Sequence, residues 1–546
     1  MRTQSRIATT KQIRQLESEW IKHCGSSWGQ VLMEIAGRAT AQEVLSLWRE
    51  NPGLVTVVCG RGNNGGDGMV VARYLYLWDI AVKVITVSRD AEAEAEAEPD
   101  VKMSSAEAQT NANILRNLGV EILSAGDNFD QELEEASLIV DAVFGTGLDR
   151  DVDGPFRRVI DGINRSGKHV VAIDIPSGVN SDTGKIMASA VRADKTVTFG
   201  YLKPGLLCHP GASLAGDLSL VDIGLPNLDG GQPLICLSTA DHARALLPPR
   251  PSDSNKGTFG TVLAIAGSLG MSGAGLLATT SSLKTGAGLV LLATPKSLLS
   301  SLPPGEVIYI PIDETGDSSI GLKALPAITS KLETCSAVIL GPGISMNEET
   351  VQFVHKFLQE TLADSGKPCI IDADALNAIA KKPDGFPKDS GDKIVLTPHP
   401  KELSRLMEVS VQEIQADRIS WALKAAEQFN CTIVLKGSRT VIASTDGEVF
   451  INPTGNPGMA TAGAGDVLSG IIGALLAQGL VPIDAATLGV YIHGMAGDVA
   501  AGELGETGVV AGDIKDAIPY AIQALERGEM SVIERQIFAL DAVAES

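Results

Sequence analysis

Hydrophobic residues along the chain form short apolar runs that alternate with segments of helical spacing. Near the start, Ile13, Leu16, Trp20 and Ile21 recur at intervals of three or four, which predicts an amphipathic helix. Residues 54–59 and 82–87 have the length and β-branched content of buried strands. A glycine-rich loop and a helical segment over residues 69–77 lie between them, so the order predicts a βαβ unit with parallel strands.

The second half of the chain repeats this strand-and-helix pattern. Apolar runs that predict strands end at residues 266, 340, 371, 396 and 435. Three prolines and several turn-forming residues over 246–255 separate the halves and are typical of a linker. We therefore predict an α/β protein of two doubly wound domains, over residues 1–240 and 250–546.

Composition and charge narrow the function classes. Of 546 residues, 44% are hydrophobic and the net charge is −22, which disfavours binding to nucleic acid or to an anionic membrane. The start lacks an apolar leader, and the apolar stretch 467–483 contains Ser469, Gln478 and three glycines, so we expect a core helix and a cytoplasmic protein. The seven cysteines are scattered and predict reduced thiols. The acidic Ala-Glu run over 91–100 predicts a solvated segment without a functional role.

Polar side chains follow three predicted strands of the first half. Residues 60–65 satisfy G-x-G-x-x-G, and Asp90 stands where the ribose-binding acid of a dinucleotide site would belong. The loop also carries carboxamides and a carboxylate, whose oxygens suit a hard cation or a hydroxyl-rich ligand. Asp141 and Asp174 end two further strands, and carboxyl ends of parallel strands converge, so we predict one site there. For any one aspartate, a helix N-cap is the alternative role.

Four segments of the first half carry a family resemblance. Residues 32–37, 63–68, 174–178 and 198–205 resemble the YjeF N-terminal family of NAD(P)H-hydrate epimerases, with a Rossmann-like three-layer sandwich. The resemblance implies a K⁺ site made by Asn64, Asp141 and Ser177. It also implies substrate contacts by Asn63, Asn64, Gly65, Gly66, Asp67, Gly145, Thr146, Gly147, Leu148, Asp149, Arg150, Asp151 and Asp174.

The implied substrate is NADH or NADPH that has added water at C6 of the nicotinamide ring. Loss of hydroxide from C6 leaves an iminium, and return of water to the other face inverts the centre. Asp174 is the candidate general acid/base, because a leaving hydroxyl needs a positioned proton donor. The alternative is that Asp174 only binds ribose hydroxyls.

A glycine-rich turn over residues 456–470 is the most informative motif of the second half. Its small residues lead into an apolar helix at Val467, whose first backbone amides would form an anion site. Asp466 stands at its mouth, where it could take a proton from a hydroxyl that attacks phosphorus. Lys436 and Arg439 follow a strand and could neutralise phosphate, and His399 at another strand end is a candidate hydrogen-bonding ligand.

This turn resembles that of the ribokinase-like superfamily. Residues 255–260, 284–290, 372–377 and 396–402 further resemble the YjeF C-terminal family, the ADP- or ATP-dependent NAD(P)H-hydrate dehydratases, although the loop 341–345 departs from the family pattern. The resemblance implies hydrate contacts by Gly343, His399 and Asp466 and nucleotide contacts by Lys436, Gly437, Ser438, Arg439, Thr440 and Gly465. It also implies ADP as co-substrate, Mg²⁺, and a homo-oligomer such as a tetramer.

The combined interpretation is a metabolite repair enzyme that epimerises R and S hydrates and dehydrates the S form at the expense of ADP, giving AMP and phosphate. Two alternatives stay open. A ribokinase-like small-molecule kinase fused to a non-catalytic YjeF N-terminal binding module would explain the second half. An NAD-dependent dehydrogenase rests on residues 60–65 alone.

Overall fold

The computed structural model describes residues 6–89, 102–228, 235–383, 386–387 and 393–539. These residues form two compact units. The N-terminal domain comprises residues 6–228 together with 533–539, and the C-terminal domain comprises residues 235–532. Residues 235–240, which we expected in the first domain, therefore belong to the second. Asp90 and the acidic run 91–100 lie outside the described residues.

The N-terminal domain is built on a sheet of seven parallel strands. Their order is β4-β3-β2-β5-β6-β7-β8. The strands are β2 (Leu54–Cys59), β3 (Val82–Thr86), β4 (Ile122–Ser124), β5 (Ala136–Ala142), β6 (His169–Ile173), β7 (Lys195–Phe199) and β8 (Asp217–Val221), preceded by the short β1 (Arg6–Ile7).

Helices cover both faces of this sheet. Successive residues of β2 point to opposite faces, and Val57 and Val58 accordingly belong to two different apolar clusters. This burial on both faces confirms the predicted three-layer arrangement. The described helices of the domain are Thr10–Cys24, Trp28–Trp48, Asn63–Leu77, Ala106–Asn117, Phe129–Glu134, Gly154–Arg165 and Pro204–Leu207, with a 3₁₀ turn at Gly211–Ser213.

The C-terminal domain contains a sheet with the order β9-β18-β17-β16-β15-β14-β13-β10-β11-β12. Only β17 runs antiparallel to its neighbours in this series. The strands are β9 (Ile235–Leu237), β10 (Thr261–Ile265), β11 (Leu289–Pro295), β12 (Ile308–Ile312), β13 (Ala337–Leu340), β14 (Cys369–Ile371), β15 (Ile394–Leu396), β16 (Thr432–Leu435), β17 (Val441–Ala443) and β18 (Val449–Ile451).

Helices also bury both faces of the central strands here. Val262 and Ile339 pack in the cluster formed with helices Ala464–Ala477 and Pro482–Leu504, while their neighbours Leu263 and Val338 are equally buried. The doubly wound prediction is confirmed. The other described helices of this domain are Ala240–Ala245, Ser272–Lys284, Leu325–Leu332, Glu348–Lys356, Ala363–Ser365, Asp374–Ala380, Pro400–Met407, Val411–Ala416, Arg418–Phe429 and Ala511–Glu526; shorter helical segments are Lys296–Ser301, Leu322–Ala324, Phe357–Leu362, Pro457–Met459 and Glu506–Gly508. The last described helix, Val532–Ile537, belongs from residue 533 onward to the N-terminal domain.

Two helices start earlier than their apolar patterns indicate. The helix Asn63–Leu77 already includes the polar residues of the first glycine motif, and Ala464–Ala477 includes Asp466. In each case a glycine outside the helix adopts the non-helical N-cap conformation, Gly62 extended and Gly463 left-handed at φ 91°. The side chains of Asn63, Asn64 and Asp466 therefore lie in the first turn of a helix, and Asp67 lies just beyond it.

The structure also shows the apolar stretch 467–483 and the cysteines, for which the sequence made predictions. The apolar stretch 467–483 is the main part of one buried helix and the start of the next. Among the described residues, no helix has the length and apolar character needed to cross a bilayer. Six of the seven cysteines are buried, and Cys24 is exposed; all are free thiols.

Candidate active sites

A cavity of about 570 Å³ opens at the carboxyl ends of β2, β5 and β6 in the N-terminal domain. The strand order reverses between β2 and β5, which is where parallel α/β sheets bind ligands. Eight residues predicted from the sequence line this cavity: Asn63, Asn64, Asp67, Gly145, Thr146, Gly147, Leu148 and Asp174.

The other predicted epimerase contacts lie away from the cavity surface. Gly65 and Gly66 are buried beneath it, where a Cβ on Gly65 would lie 1.8 Å from the carbonyl oxygen of Gly60. Asp149, Arg150 and Asp151 are exposed and do not line it. Gly65 therefore serves the close approach of two backbone segments, and Gly66 leaves room for the side chains of Met33 and Ala108. A substrate role for all five residues stays a prediction.

Asp174 is held by a buried ion pair. Lys203, which is 1% exposed, donates from Nζ to Asp174 Oδ1, and also to Thr198 Oγ1 and the Phe199 carbonyl, both at 2.9 Å. Asp174 has a φ of 66°, a left-handed conformation that costs about 1–3 kcal/mol in a non-glycine residue. Such strain at a strand end is typical of functional positions, and Lys203 compensates the charge of the carboxylate.

Two further carboxyl groups, of Glu17 and Asp67, face the same cavity. Burial, followed by the charge of Asp174, raises the pKa of Glu17. The pKa of Asp67 is raised well above its usual range by burial and then by the charges of Asp174 and Glu17. One cavity thus holds an acid paired with a cation and two acids whose pKa values are raised.

The residues expected to hold K⁺ come together beside this cavity. Asp141 is fully buried and accepts from Ser177 Oγ at 2.6 Å and from Ser177 N at 2.8 Å. Burial raises the pKa of Asp141 to about 6. Asn64 is buried next to Gly145, and its Nδ2 has no hydrogen-bond partner. Reversing that carboxamide, whose two ends are alike in shape, would present an unused oxygen instead.

In the C-terminal domain, ionisable side chains gather where adjacent parallel strands end. Lys436 follows β16 and donates from Nζ to Asp372 Oδ1, which follows β14, at 2.6 Å. Glu402 Oε2 lies 3.9 Å from the same Nζ. Ser469 Oγ donates to the other oxygen of Asp372 at 2.7 Å. Lys436 is therefore tied to protein carboxylates, so a nucleotide phosphate would share its charge with them.

Asp466 adjoins this cluster from the first turn of the helix Ala464–Ala477. Burial, then the charge of Asp372, raises its pKa to about 7, against the lowering effect of Lys436. Gly465 lies beside the same groups, because a Cβ there would be 3.4 Å from Lys436 Nζ. An acid with a pKa near neutrality at a helix N-terminus can accept a proton while backbone amides face an anion.

His399 caps a helix in addition to facing the cluster. Its Nδ1 accepts from Glu402 N at 3.0 Å, while Glu402 Oε2 accepts from His399 N at 2.8 Å, forming a capping box at the start of Pro400–Met407. Burial and then Lys436 lower the pKa of His399. Because Nδ1 is used by the cap, Nε2, which lies 3.5 Å from Glu402 Oε1, is the ring atom that could contact a ligand.

The remaining predicted dehydratase residues lie on loops around the cluster. Gly343 follows β13 with a φ of 63°, and two residues on, the Ser345 amide donates to Asp374 Oδ2 at 2.9 Å. Arg439 Nη1 donates to the Pro453 carbonyl at 2.7 Å, which fixes the loop after β16. That loop also carries Gly437, Ser438 and Thr440.

The sequence analysis missed several residues of these sites. Lys203 and Asp372 stood in segments quoted for the resemblance, but nothing in the sequence showed that they pair with Asp174 and Lys436. Glu17 lies on an ordinary amphipathic helix and gave no signal. His493 was also missed: burial, together with the charge of Lys436, lowers its pKa to about 4. Its Nε2 is buried without a partner.

Known proteins match both halves of the chain. A family described as YjeF-related protein N-terminus matches residues 29–205, and one described as NAD(P)H-hydrate dehydratase matches residues 262–520. The bifunctional NAD(P)H-hydrate repair enzyme Nnr of Moorella thermoacetica is 40% identical over 522 residues, which cover 92% of this chain and 94% of the relative. The chain belongs to the family of bifunctional NAD(P)H-hydrate repair enzymes.

Other similar proteins extend over the whole chain or over one domain. The repair enzyme Nnr of Thermofilum pendens is 39% identical and covers 97% of this chain and 98% of its own. The ADP/ATP-dependent NAD(P)H-hydrate dehydratase from Bacillus subtilis, co-crystallised with ATP/Mg²⁺, is 31% identical, covers 55% of this chain and 100% of its own, and has a TM-score of 0.44. The two relatives that are 39–40% identical over nearly the whole chain confirm the predicted family.

Proposed function

We propose that the N-terminal domain interconverts the R and S hydrates of NADH and NADPH, and that the C-terminal domain dehydrates the S hydrate with ADP, giving AMP and phosphate. The observation that carries this proposal is the match of both enzyme families to one chain, across nearly its whole length. The joined activities make chemical sense, because a dehydratase for one epimer needs an epimerase to recover all hydrated cofactor.

In the proposed epimerisation, the substrate's nicotinamide end occupies the cavity at β2, β5 and β6. Asp174 exchanges a proton with the oxygen at C6, and Lys203 holds its carboxylate in place. The lining of the cavity by Asn63, Asn64 and the loop from Gly145 supports this placement.

The donor set beside the cavity fits K⁺. Asn64, Asp141 and Ser177 would hold the ion, which would supply a counter-charge to Asp141. This assignment is supported by the buried carboxylate, whose pKa of about 6 reflects its missing compensation, and by the unpartnered carboxamide atom. The chain's own residues here order the loops that follow β5 and β6.

In the proposed dehydration, Asp466 accepts the proton of the C6 hydroxyl as that oxygen attacks the terminal phosphoryl group of ADP. Backbone amides at the start of Ala464–Ala477 face the transferred phosphate, and Lys436 and Arg439 hold the nucleotide. The ring nitrogen lone pair expels phosphate from C6, and loss of the C5 proton restores the dihydronicotinamide. Gly343 and His399 would contact the hydrate.

The proposal also covers the metal ion, the nucleotide, the oligomeric state and the location of the protein. Among the described residues, no group of three His, Cys, Asp or Glu side chains could hold a metal, so Mg²⁺ would arrive with the nucleotide phosphates. ADP is proposed over ATP on the family resemblance. A homo-oligomer such as a tetramer and a cytoplasmic location stay predictions.

Absorbance at 340 nm tests the proposal directly. Purified protein receives a mixture of R and S hydrates with ADP, K⁺ and Mg²⁺, and we expect complete recovery of NADH. A stop near the S fraction would contradict the epimerase. No recovery with either ADP or ATP, together with a phosphorylated product that accumulates, would return the C-terminal domain to the small-molecule kinases.

A further inference from the structure

Glu17 reaches the epimerase cavity from a different element than Asp174 does. It lies on the helix Thr10–Cys24, whereas Asp174 follows β6 at the sheet edge. Both side chains line the same cavity. Glu17 is half-buried, and the charged groups that act on it are Asp174, Lys203 and Arg14, with Asp67 as a further neighbour. Asp174 is therefore paired with a cation, Lys203, whereas Glu17 lines the same cavity without forming such a pair.

Inversion at C6 makes a demand that one acid cannot meet alone. The hydroxyl leaves one face of the nicotinamide ring with a proton, and the new hydroxyl forms on the other face as water loses a proton. A single carboxyl group on one face favours return to the face that was left. An acid on each face, one protonated and one ionised, satisfies both halves of the reaction.

We infer that Glu17 is a second catalytic residue of the epimerase, which together with Asp174 transfers protons on opposite faces of the ring. In one direction, protonated Glu17 gives its proton to the C6 hydroxyl, the C6–O bond breaks and water departs. Water then attacks the other face, the new C–O bond forms, and the Asp174 carboxylate takes the released proton. The reverse direction exchanges the roles, and solvent returns the proton between turnovers.

The environments of the two acids support this division of roles. Lys203 donates to Asp174 and stabilises its carboxylate, whereas Glu17 forms no ion pair with any described residue and its pKa is raised by burial. Asp67 is the other acid with a raised pKa, but it belongs to the run from Asn63 to Asp67 that is assigned to substrate binding. This inference rests on the proposed epimerase function.

Oxygen exchange separates a proton-transfer role from a structural one. The full-length protein is incubated without ADP, so that no dehydration occurs, with the S hydrate or, separately, the R hydrate in H₂¹⁸O. Chromatography follows formation of the other epimer, and mass spectrometry follows ¹⁸O at C6 in each epimer. Glu17→Gln keeps the size of the side chain and removes its acid, and Glu19→Gln on the same helix, exposed and hydrogen-bonded to Gln15, is the matched control.

We expect Glu17→Gln to slow interconversion about 100-fold, in the range of general acid–base catalysis. It should still incorporate ¹⁸O with retention into the epimer whose C6 oxygen lies on the face of Asp174, because Asp174 can release and return that oxygen, and the other epimer should lose exchange. Glu17→Asp should recover part of the inversion rate, and Glu19→Gln should equal the unmodified protein.

Two results would overturn the inference. One is interconversion by Glu17→Gln within twofold of the unmodified rate. The other is loss of inversion together with loss of exchange in both epimers, which would assign Glu17 to binding or folding. If instead the unmodified protein exceeds the enzyme-free rate in neither reaction, the proposed epimerase itself fails.

Discussion

Lys203 shows how a single buried residue can organise an active site. Its ammonium group has three acceptors, in Asp174, Thr198 and Phe199, so its hydrogen-bonding capacity is filled by the protein. Removing one partner of a buried ion pair leaves the other charge uncompensated, which is more costly than the loss of an exposed pair.

Lys203→Met should therefore lower the free energy of unfolding of the N-terminal domain by about 3 kcal/mol. Four of the five tryptophans, at 20, 28, 48 and 78, lie in this domain, so fluorescence during guanidinium titration reports mainly on it. The exposed control Lys185→Met should change stability by less than about 0.5 kcal/mol. Equal effects of the two substitutions would contradict the buried-pair interpretation.

The raised pKa of Asp466 predicts that the rate of dehydration depends on pH. Asp466 accepts a proton only as a carboxylate, and its pKa is raised to about 7, so kcat should rise with pH through about 7 and fall below it. Asp466→Asn should lower kcat about a thousandfold, within the usual range for a lost general base. Rates with purified S hydrate and ADP, measured from pH 5.5 to 9, check both.

Because Glu402 also has a pKa raised by burial to about 7, it needs a variant of its own. Glu402→Gln should keep the rise in kcat near neutrality if Asp466 causes it. The exposed control Asp446→Asn should reproduce the unmodified profile. A profile that becomes flat in Glu402→Gln would assign the titration to Glu402.

At the level of elements, helix contacts in the C-terminal domain depend on glycines that admit close approach. Gly470, on the helix Ala464–Ala477, leaves no room for a side chain: a Cβ would lie 2.2 Å from the carbonyl oxygen of Ala278 on the helix Ser272–Lys284. Gly502, near the end of Pro482–Leu504, has no atom within 4 Å of such a Cβ.

Gly470→Ala should therefore lower the thermal midpoint of the C-terminal domain, because the helices must separate at a cost of about 1–3 kcal/mol. Gly502→Ala should leave the midpoint unchanged or raise it, since alanine is the better helix former by about 1 kcal/mol. Calorimetry of the full-length protein checks the pair. A stabilising Gly470→Ala would show that this helix contact can relax.

Substitutions of His399, the N-cap of the helix Pro400–Met407, test whether this residue acts as a cap, as a ligand or as both. Asparagine is a good N-cap residue, so His399→Asn should keep thermal stability, while His399→Ala should cost about 1 kcal/mol. If Nε2 contacts the hydrate, both variants should raise KM for the S hydrate several-fold. Unchanged KM with a lower midpoint in His399→Ala alone would leave only the capping role.

At the scale of the whole molecule, the two proposed sites lie in separate domains, each with its own sheet and core. The hydrates can diffuse, and nothing in either site requires direct transfer. Asp174→Asn should consequently stop recovery of NADH from the mixed hydrates at the S fraction. Asp466→Asn should prevent recovery almost completely.

An equimolar mixture of the two variants should restore complete recovery, because each protein supplies the activity that the other lacks. Absorbance at 340 nm, corrected for spontaneous epimerisation, measures the extent. The unmodified protein at half concentration is the control for rate. A mixture that stops at the S fraction would show that the two sites must act on the same chain.

The sequence by itself determined the two α/β domains, the strand ends that carry chemistry and the family. Those features depend on local periodicity and on glycine motifs, which residues close together in the chain define. Only the tertiary structure decided which charges meet. Lys203 lies 29 residues from Asp174, Lys436 lies 64 residues from Asp372, and Glu17 reaches the cavity from the helix Thr10–Cys24, before the sheet begins. Such pairings, and the pKa values that follow from burial, arise from packing between elements that the spacing of residues along the chain does not encode.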